Sequence, residues 1–145
     1  MRDHGPMDVL LVEDNASDAE LTLRALRKHN LGNGITWVRD GAEALDFIYG
    51  SGGYSDRGPG KVVLVLLDLK LPKVNGLQVL ARLKADEQTK KIPVVVLTSS
   101  AEDRDLDEAY GLGANSYLVK PVEFGAFVDV VSNAGFYWLI ENKLP

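Results

Sequence analysis

The chain has 145 residues, of which 46% are hydrophobic and 26% charged, with a formal net charge of −5 and no cysteine. That length suits one domain with a full core, and the lack of cysteine excludes a disulfide framework and thiolate chemistry. The acidic balance without a basic cluster argues against nucleic acid as a direct ligand, and no apolar run approaches membrane-spanning length.

The opening Met-Arg-Asp-His-Gly-Pro lacks the apolar centre of a signal peptide, so a cytoplasmic protein is expected. Val9–Val12 is the first apolar run, and Glu13-Asp14 follows it directly. Ser17 and Glu20 read as a capping box for a helix reaching about His29, with Leu21, Ala25 and Leu26 on its buried face. Ile35–Val38 reads as a short strand, and the next helix runs from about Ala42 to Tyr49. Gly50–Gly60 is a glycine-rich surface connection, longer than is usual between such elements. It ends in Gly60-Lys61 with no Ser or Thr after it, so it is not a phosphate loop.

Val62–Leu67 is unbroken by any polar residue, which is the pattern of a strand buried on both faces of a parallel sheet. It closes on Asp68. Leu71–Val74 reads as a loop, and Asn75 caps a helix carrying Leu77, Leu80 and Leu83 on one face. Ile92–Leu97 is the fourth strand, with Pro93 tolerable at its start, and it runs into Thr98. An acidic helix follows over about Glu102–Tyr110. Asn115–Val119 is the fifth strand, and Lys120-Pro121 leads to a last helix ending near Ile140.

Strands alternating with helices in this way specify an α/β fold built on a doubly wound parallel sheet. Right-handed crossovers then bring every strand's carboxyl end to one edge. That edge receives Glu13, Asp14, Asp68, Thr98 and Lys120. Each residue alone has an ordinary reading: a helix cap, a strand-end hydroxyl, a surface lysine. Together they form a chemical set. Crowded carboxylates repel, and a divalent cation such as Mg²⁺ relieves that repulsion. Lysine offers a compact positive charge to a phosphate, and a threonine hydroxyl donates to a phosphoryl oxygen. Asp68, in the middle, is the natural nucleophile for an aspartyl phosphate.

At these residues the chain resembles the receiver domains of two-component response regulators. The matching segments are Val12-Glu13-Asp14-Asn15, Leu67-Asp68-Leu69-Lys70-Leu71-Pro72 with Asn75-Gly76, Val96-Leu97-Thr98-Ser99, and Gly113 through Pro121. The resemblance implies a flavodoxin-like sheet of five strands in the order 2-1-3-4-5 with five helices, spanning residues 7–140 between a flexible 1–6 and a 141–145 tail. It implies that Asp68 accepts a phosphoryl group from a sensor histidine kinase. Asp14 and Asp68 would bind Mg²⁺ directly, with the Lys70 carbonyl as a further ligand and Glu13 acting through water. Lys120 would pair with the phosphoryl, preceding a cis peptide bond to Pro121. Thr98 would move toward the phosphoryl and Tyr117 would turn inward behind it, reshaping the face around the fourth and fifth strands. Glu13 departs from the aspartate found in many relatives. Lys70 and Ser100 occupy the flanking positions that govern water access in similar receivers.

The chain stops at Pro145, so output through a partner is expected. Phe124, Phe127, Val128, Val131 and Trp138 make one apolar stripe of the last helix, and Ala126, Val130 and Tyr137 lie opposite. Two apolar faces suggest a covered helix: a longer tail folded over the domain's own surface would do it, but a homodimer or partner face is the favoured expectation. The tail and the glycine-rich loop are similar to stand-alone regulators paired with phytochrome-type kinases. His4 and His29 are too isolated to be metal ligands, and Trp37 and Trp138 read as packing residues. The expected protein is therefore a switch, catalytic only in its own phosphorylation and dephosphorylation. An aspartate-nucleophile phosphatase is the alternative, weakened because Asp68-Leu69-Lys70 has no second carboxylate to act as general acid. A flavin-binding module on the same fold would want hydroxyl-rich loops instead of acids.

Overall fold

Period-two alternation in the central strands feeds two separate apolar layers. In the computed structural model, which describes residues 8–28, 35–57, 62–71, 73–99 and 103–133, the strands are β1 (Asp8–Val12), β2 (Ile35–Val38), β3 (Val62–Asp68), β4 (Val94–Thr98) and β5 (Ser116–Val119). The helices are α1 (Ala16–Arg27), α2 (Gly41–Tyr49), α3 (Gly76–Ala85), α4 (Asp103–Leu112) and α5 (Phe124–Asn133). All strand pairs are parallel, and the sheet order is β2-β1-β3-β4-β5. This is the flavodoxin-like order that the resemblance implied.

Leu10, Val12, Val65, Leu67, Val94 and Val96 pack on one face with Phe47 of α2, Leu80 and Leu83 of α3 and Ala109 of α4. Val9, Leu11, Leu64, Leu66, Val95 and Leu97 pack on the other with Leu23 and Leu26 of α1 and Phe127 of α5. Successive side chains of a strand point to opposite faces, so one run of branched apolar residues fills both layers.

Local chemistry shifts several boundaries. The cap of α1 is Asn15, whose side chain accepts from the Asp18 amide at 2.9 Å, and not Ser17. Asn caps as well as Ser, and with β1 ending at Val12 the chain turns at once into the helix. The buried stripe is then Ala19, Thr22, Leu23 and Leu26, which leaves Leu21 exposed and Ala25 half-buried. Both stripes have helical spacing, but only this one turns the two bulky residues Leu23 and Leu26 inward together. Asn75 does cap α3, in a reciprocal capping box with Gln78.

The glycine-rich connection is more ordered at its start than a plain loop. Gly50 ends α2 in the left-handed conformation, and Gly52–Arg57 forms a 3₁₀ helix with a kink at Tyr54. Tyr54 packs edge-on against Phe47 and donates to Glu43 Oε2 at 2.6 Å. In α5, Phe127 is buried as expected, but Val130 also packs against the core from the side assigned to the opposite face. The expected extension of α5 to Ile140, with Tyr137 and Trp138, lies outside the described residues, as do Ser100, Lys61, His4 and His29.

Gly76 marks the closest approach of α3 to the sheet edge. A Cβ there would overlap the Asp68 carbonyl oxygen and the Leu69 Cα, whereas one on Gly125 would meet nothing. Gly76→Ala is expected to destabilise by about 1–3 kcal/mol, through overpacking. Gly125→Ala, inside α5, should stabilise by about 0.5–1 kcal/mol. Urea denaturation midpoints of the two variants against the parent check the opposite signs.

Candidate functional site

Four strand ends converge because the register puts them level. Val12 pairs with Leu67, so Glu13 comes beside Asp68, and Thr98 pairs with Val119, so Lys120 follows at the same height. The backbone ladder runs one step past the strands on both sides. The Glu13 amide donates to the Val38 carbonyl at 3.0 Å, and the Lys120 amide donates to the Thr98 carbonyl at 2.7 Å. These bonds hold the polar residues in line with rigid strands instead of leaving them on free loops.

The Lys120 ammonium sits among three carboxylates, 2.9 Å from Glu13 Oε1, 2.9 Å from Asp18 Oδ2 and 3.2 Å from Asp68 Oδ2. Glu13 is 1% exposed and Asp68 7% exposed, while Asp14 is open to solvent. Glu13 Oε2 accepts from the Asn15 amide at 3.2 Å, and Asp68 Oδ1 accepts from the Lys70 amide at 3.2 Å. Glu13 Oε1 is a buried acceptor that makes no hydrogen bond, so its contact with Lys120 is ionic without good donor geometry.

Burial dominates the electrostatics. It pushes the Glu13 carboxyl up from 4.5 to about 7; the nearby Lys120 pulls it down and the charge of Asp68 adds to the rise. Lys120 does not hold Glu13 low, because the cost of burial exceeds its pull. For Lys120 burial acts in the opposite sense, favouring loss of the proton. The hydrogen bond to Asp18 and the close negative charges of Glu13 and Asp68 outweigh it, and the ammonium is held above the usual lysine range.

Oxygens of Glu13, Asp14 and Asp68 lie within 4.8 Å of one another. Three hard oxygen donors, one of them a buried acceptor still lacking a hydrogen bond, fit a divalent cation that prefers oxygen. The structure thus brings together Glu13, Asp14, Asp68 and Lys120 and sets half-buried Thr98 at the adjacent strand end. The Lys120–Pro121 peptide bond is cis. Tyr117 is 41% exposed and packs edge-on against Tyr110, ring centroids 6.4 Å apart, so here it faces outward. The Lys70 side chain is exposed, and its amide donates to Asp68 Oδ1.

Two contributors escaped the sequence reading. Asp18 lies one helical turn beyond Asp14, and that four-residue spacing was the available signal. Trp37, read as packing, also donates its indole N–H to the Glu13 carbonyl at 2.7 Å, beneath an Arg39 guanidinium 4.6 Å from the ring. No sequence pattern announces that bond.

Residues 9–132 match the response regulator receiver domain. The fold is similar to that of the bacteriophytochrome response regulator AtBRR, with 49% identity, a TM-score of 0.85, and 92% of this chain and 96% of that one covered. The sequence is 44% identical over 142 residues to the probable methanogenesis regulatory protein FilR2 of Methanothrix harundinacea, covering 97% of this chain and 88% of that protein. It is 36% identical over 140 residues to the response regulator Rcp1 of Synechocystis, covering 97% and 94%. The Mn²⁺-bound form of Rcp1 superposes with a TM-score of 0.73 over 92% of this chain and 95% of that one.

A carboxyl whose folded pKa is raised leaves stability intact below its ordinary value near 4.5 and removes it as pH rises through about 7. Without added metal, the protein is therefore expected to lose on the order of 2–3 kcal/mol between pH 5 and pH 8. Glu13→Gln should flatten that loss and be the more stable protein at pH 8. Urea titrations of both proteins across this range, in chelator, measure it.

Proposed function

The chain belongs to the response regulator receiver domain family, and from that premise we propose that it is a phosphoryl-accepting switch whose acceptor is Asp68. The observation that carries the reading is the ammonium of Lys120 held 3.2 Å from Asp68 Oδ2, beside an acidic cluster suited to a divalent cation. An Asp68 carboxylate oxygen attacks the phosphorus of a phosphohistidine. The new P–O bond forms as the P–N bond breaks, and the imidazole leaves to take a proton. Glu13, Asp14 and Asp68 would hold Mg²⁺, with the Lys70 carbonyl as the family's further ligand. When bound there, such an ion would supply neutralisation of charge gathering on the phosphoryl oxygens. The Mn²⁺-bound relative supports that assignment.

Lys120 binds and orients the phosphoryl from the other side, and Thr98 donates its hydroxyl to a phosphoryl oxygen. Tyr117, outward in this structure, turns into the space that Thr98 vacates. The chemistry is confined to the protein's own phosphorylation and dephosphorylation, so the chain is a switch and not an enzyme acting on other substrates. The donor is a sensor histidine kinase in the cytoplasm, of phytochrome type by analogy with the similar regulators. The readout is the face of β4, α4, β5 and α5, where Tyr117, Val119, Ala126 and Val130 line a concavity of about 500 Å³. We assign this face and the C-terminal helix to partner binding or to a homodimer.

Incubation with acetyl phosphate and Mg²⁺ should add one phosphoryl group to the intact mass. The gain should need the metal and disappear in Asp68→Asn; a gain that persists in the variant, or no gain at all, would sink the assignment. Light scattering over a concentration series should find a dimer, and a monomer at every concentration, phosphorylated or not, would remove the homodimer.

A further inference from the structure

Lys120 has three carboxylate partners, and only two of them belong to the acidic cluster. Glu13 and Asp68 share the cluster with Asp14, but Asp18 stands outside it, on the first turn of α1. Its Oδ2 nonetheless holds the Lys120 Nζ at 2.9 Å, across a sequence separation of 102 residues. We propose that Asp18 is a positioning residue: a latch that keeps Lys120 at rest and competes with the incoming phosphoryl group for its charge. The idea rests on the phosphoryl-acceptor reading and adds to it a residue that restrains the reaction.

Three observations favour a latch over a passive ion pair. The first is arithmetic of charge. A cation seated between Glu13, Asp14 and Asp68 would supply the positive charge that Glu13 and Asp68 now draw from Lys120. The tie to Asp18 would then be the lysine's remaining tether.

The second is exposure. The Asp18 side chain is 35% exposed, against 1% for Glu13 and 9% for Asp68. When Lys120 turns to a phosphoryl oxygen, Asp18 is the partner that water can resolvate most readily, whereas an abandoned Glu13 would stay buried and unpaired. The third is space. Asp18, Leu21, Thr22, Ser99, Lys120 and Pro121 line a small open concavity of about 220 Å³, so the carboxylate has somewhere to go on release.

The role of the Asp18 backbone is separate. Its amide bonds to the Asn15 side chain and closes the cap of α1, and a side-chain substitution leaves that bond in place. Asp18→Asn therefore keeps the helix start and the hydrogen-bonding shape while removing the competing charge. Lys120 becomes freer to meet the phosphoryl donor, and a negative charge that repels the anionic donor is gone from the rim.

The test uses the full chain with Mg²⁺ and acetyl phosphate, following the rate of phosphoryl gain by intact mass. Asp18→Asn should react about three- to tenfold faster than the parent, the range expected for losing a partly exposed charge-assisted pair. Asp18→Glu, which restores the charge, should return close to the parental rate. Asp18→Ser serves as a second neutral variant should Asn perturb folding, and it should also be faster. A neutral variant no faster than the parent overturns the latch. So does an Asp18→Glu variant altered as much as Asp18→Asn, because charge would then not be the cause. A parent that gains no phosphoryl group removes the acceptor reading itself, and the latch with it, which is a distinct result from a parent that reacts at a rate unchanged by the loss of the Asp18 charge.

Discussion

The shared positive charge of Lys120 is what allows two carboxylates to be buried at the end of a sheet. Glu13 and Asp68 lie side by side with little access to water, and each would be costly without a counter-charge. One lysine, itself held by Asp18, sits within 3.2 Å of both. It does not satisfy them fully: Glu13 keeps a raised pKa and an oxygen with no hydrogen bond. That incomplete compensation leaves a buried oxygen among three carboxylates that suit a divalent cation.

Strand register sets the height of these charges, and side chains from outside the strands then fix them. The sheet order places β1 and β3 adjacent, so their carboxylates meet, and β4 and β5 adjacent, so Thr98 and Lys120 meet. The Glu13 peptide is pinned from both sides, its amide on Val38 and its carbonyl under the Trp37 indole. Tyr54 and Glu43 join the opening of the glycine-rich connection to the same flank, since Glu43 also accepts from the Arg39 amide at 3.1 Å. The connection thus braces the β2 edge of the sheet through hydrogen bonds that a plain loop would not supply.

The two ends of the sheet are built differently. At the amino end of β4, Lys84 donates to the carbonyls of Lys90 and Ile92, and burial holds its ammonium below the usual lysine range. Nearby, Tyr49 donates to Asp86, and the buried Thr89 hydroxyl donates to the Leu83 carbonyl. Side chains there tie loops to helices. Toward the carboxyl end, Tyr117 and Val119 stand exposed on β5, with the Tyr110 ring edge-on to the former.

Fold class and the identity of the acidic residues were legible in the chain because they depend on short-range pattern. An unbroken apolar run implies burial on both faces, alternating strands and helices imply parallel crossovers, and a carboxylate at a strand exit implies an edge site. The strand order came from resemblance and not from the pattern itself. Choices between near-equal local options were less readable: Asn15 over Ser17 as a cap, Leu23 over Leu21 as the buried residue, Val130 inward on α5. Each turns on which alternative fits a surface made by residues distant in sequence. Asp18 on Lys120 and Trp37 on the Glu13 carbonyl belong wholly to that class. Their partners lie 102 and 24 residues away, and only tertiary packing brings such groups within reach of one another. The sequence by itself determined which chemistry the edge could hold; the tertiary structure decided which charges share one lysine, because electrostatic sharing depends on distance in space and not along the chain.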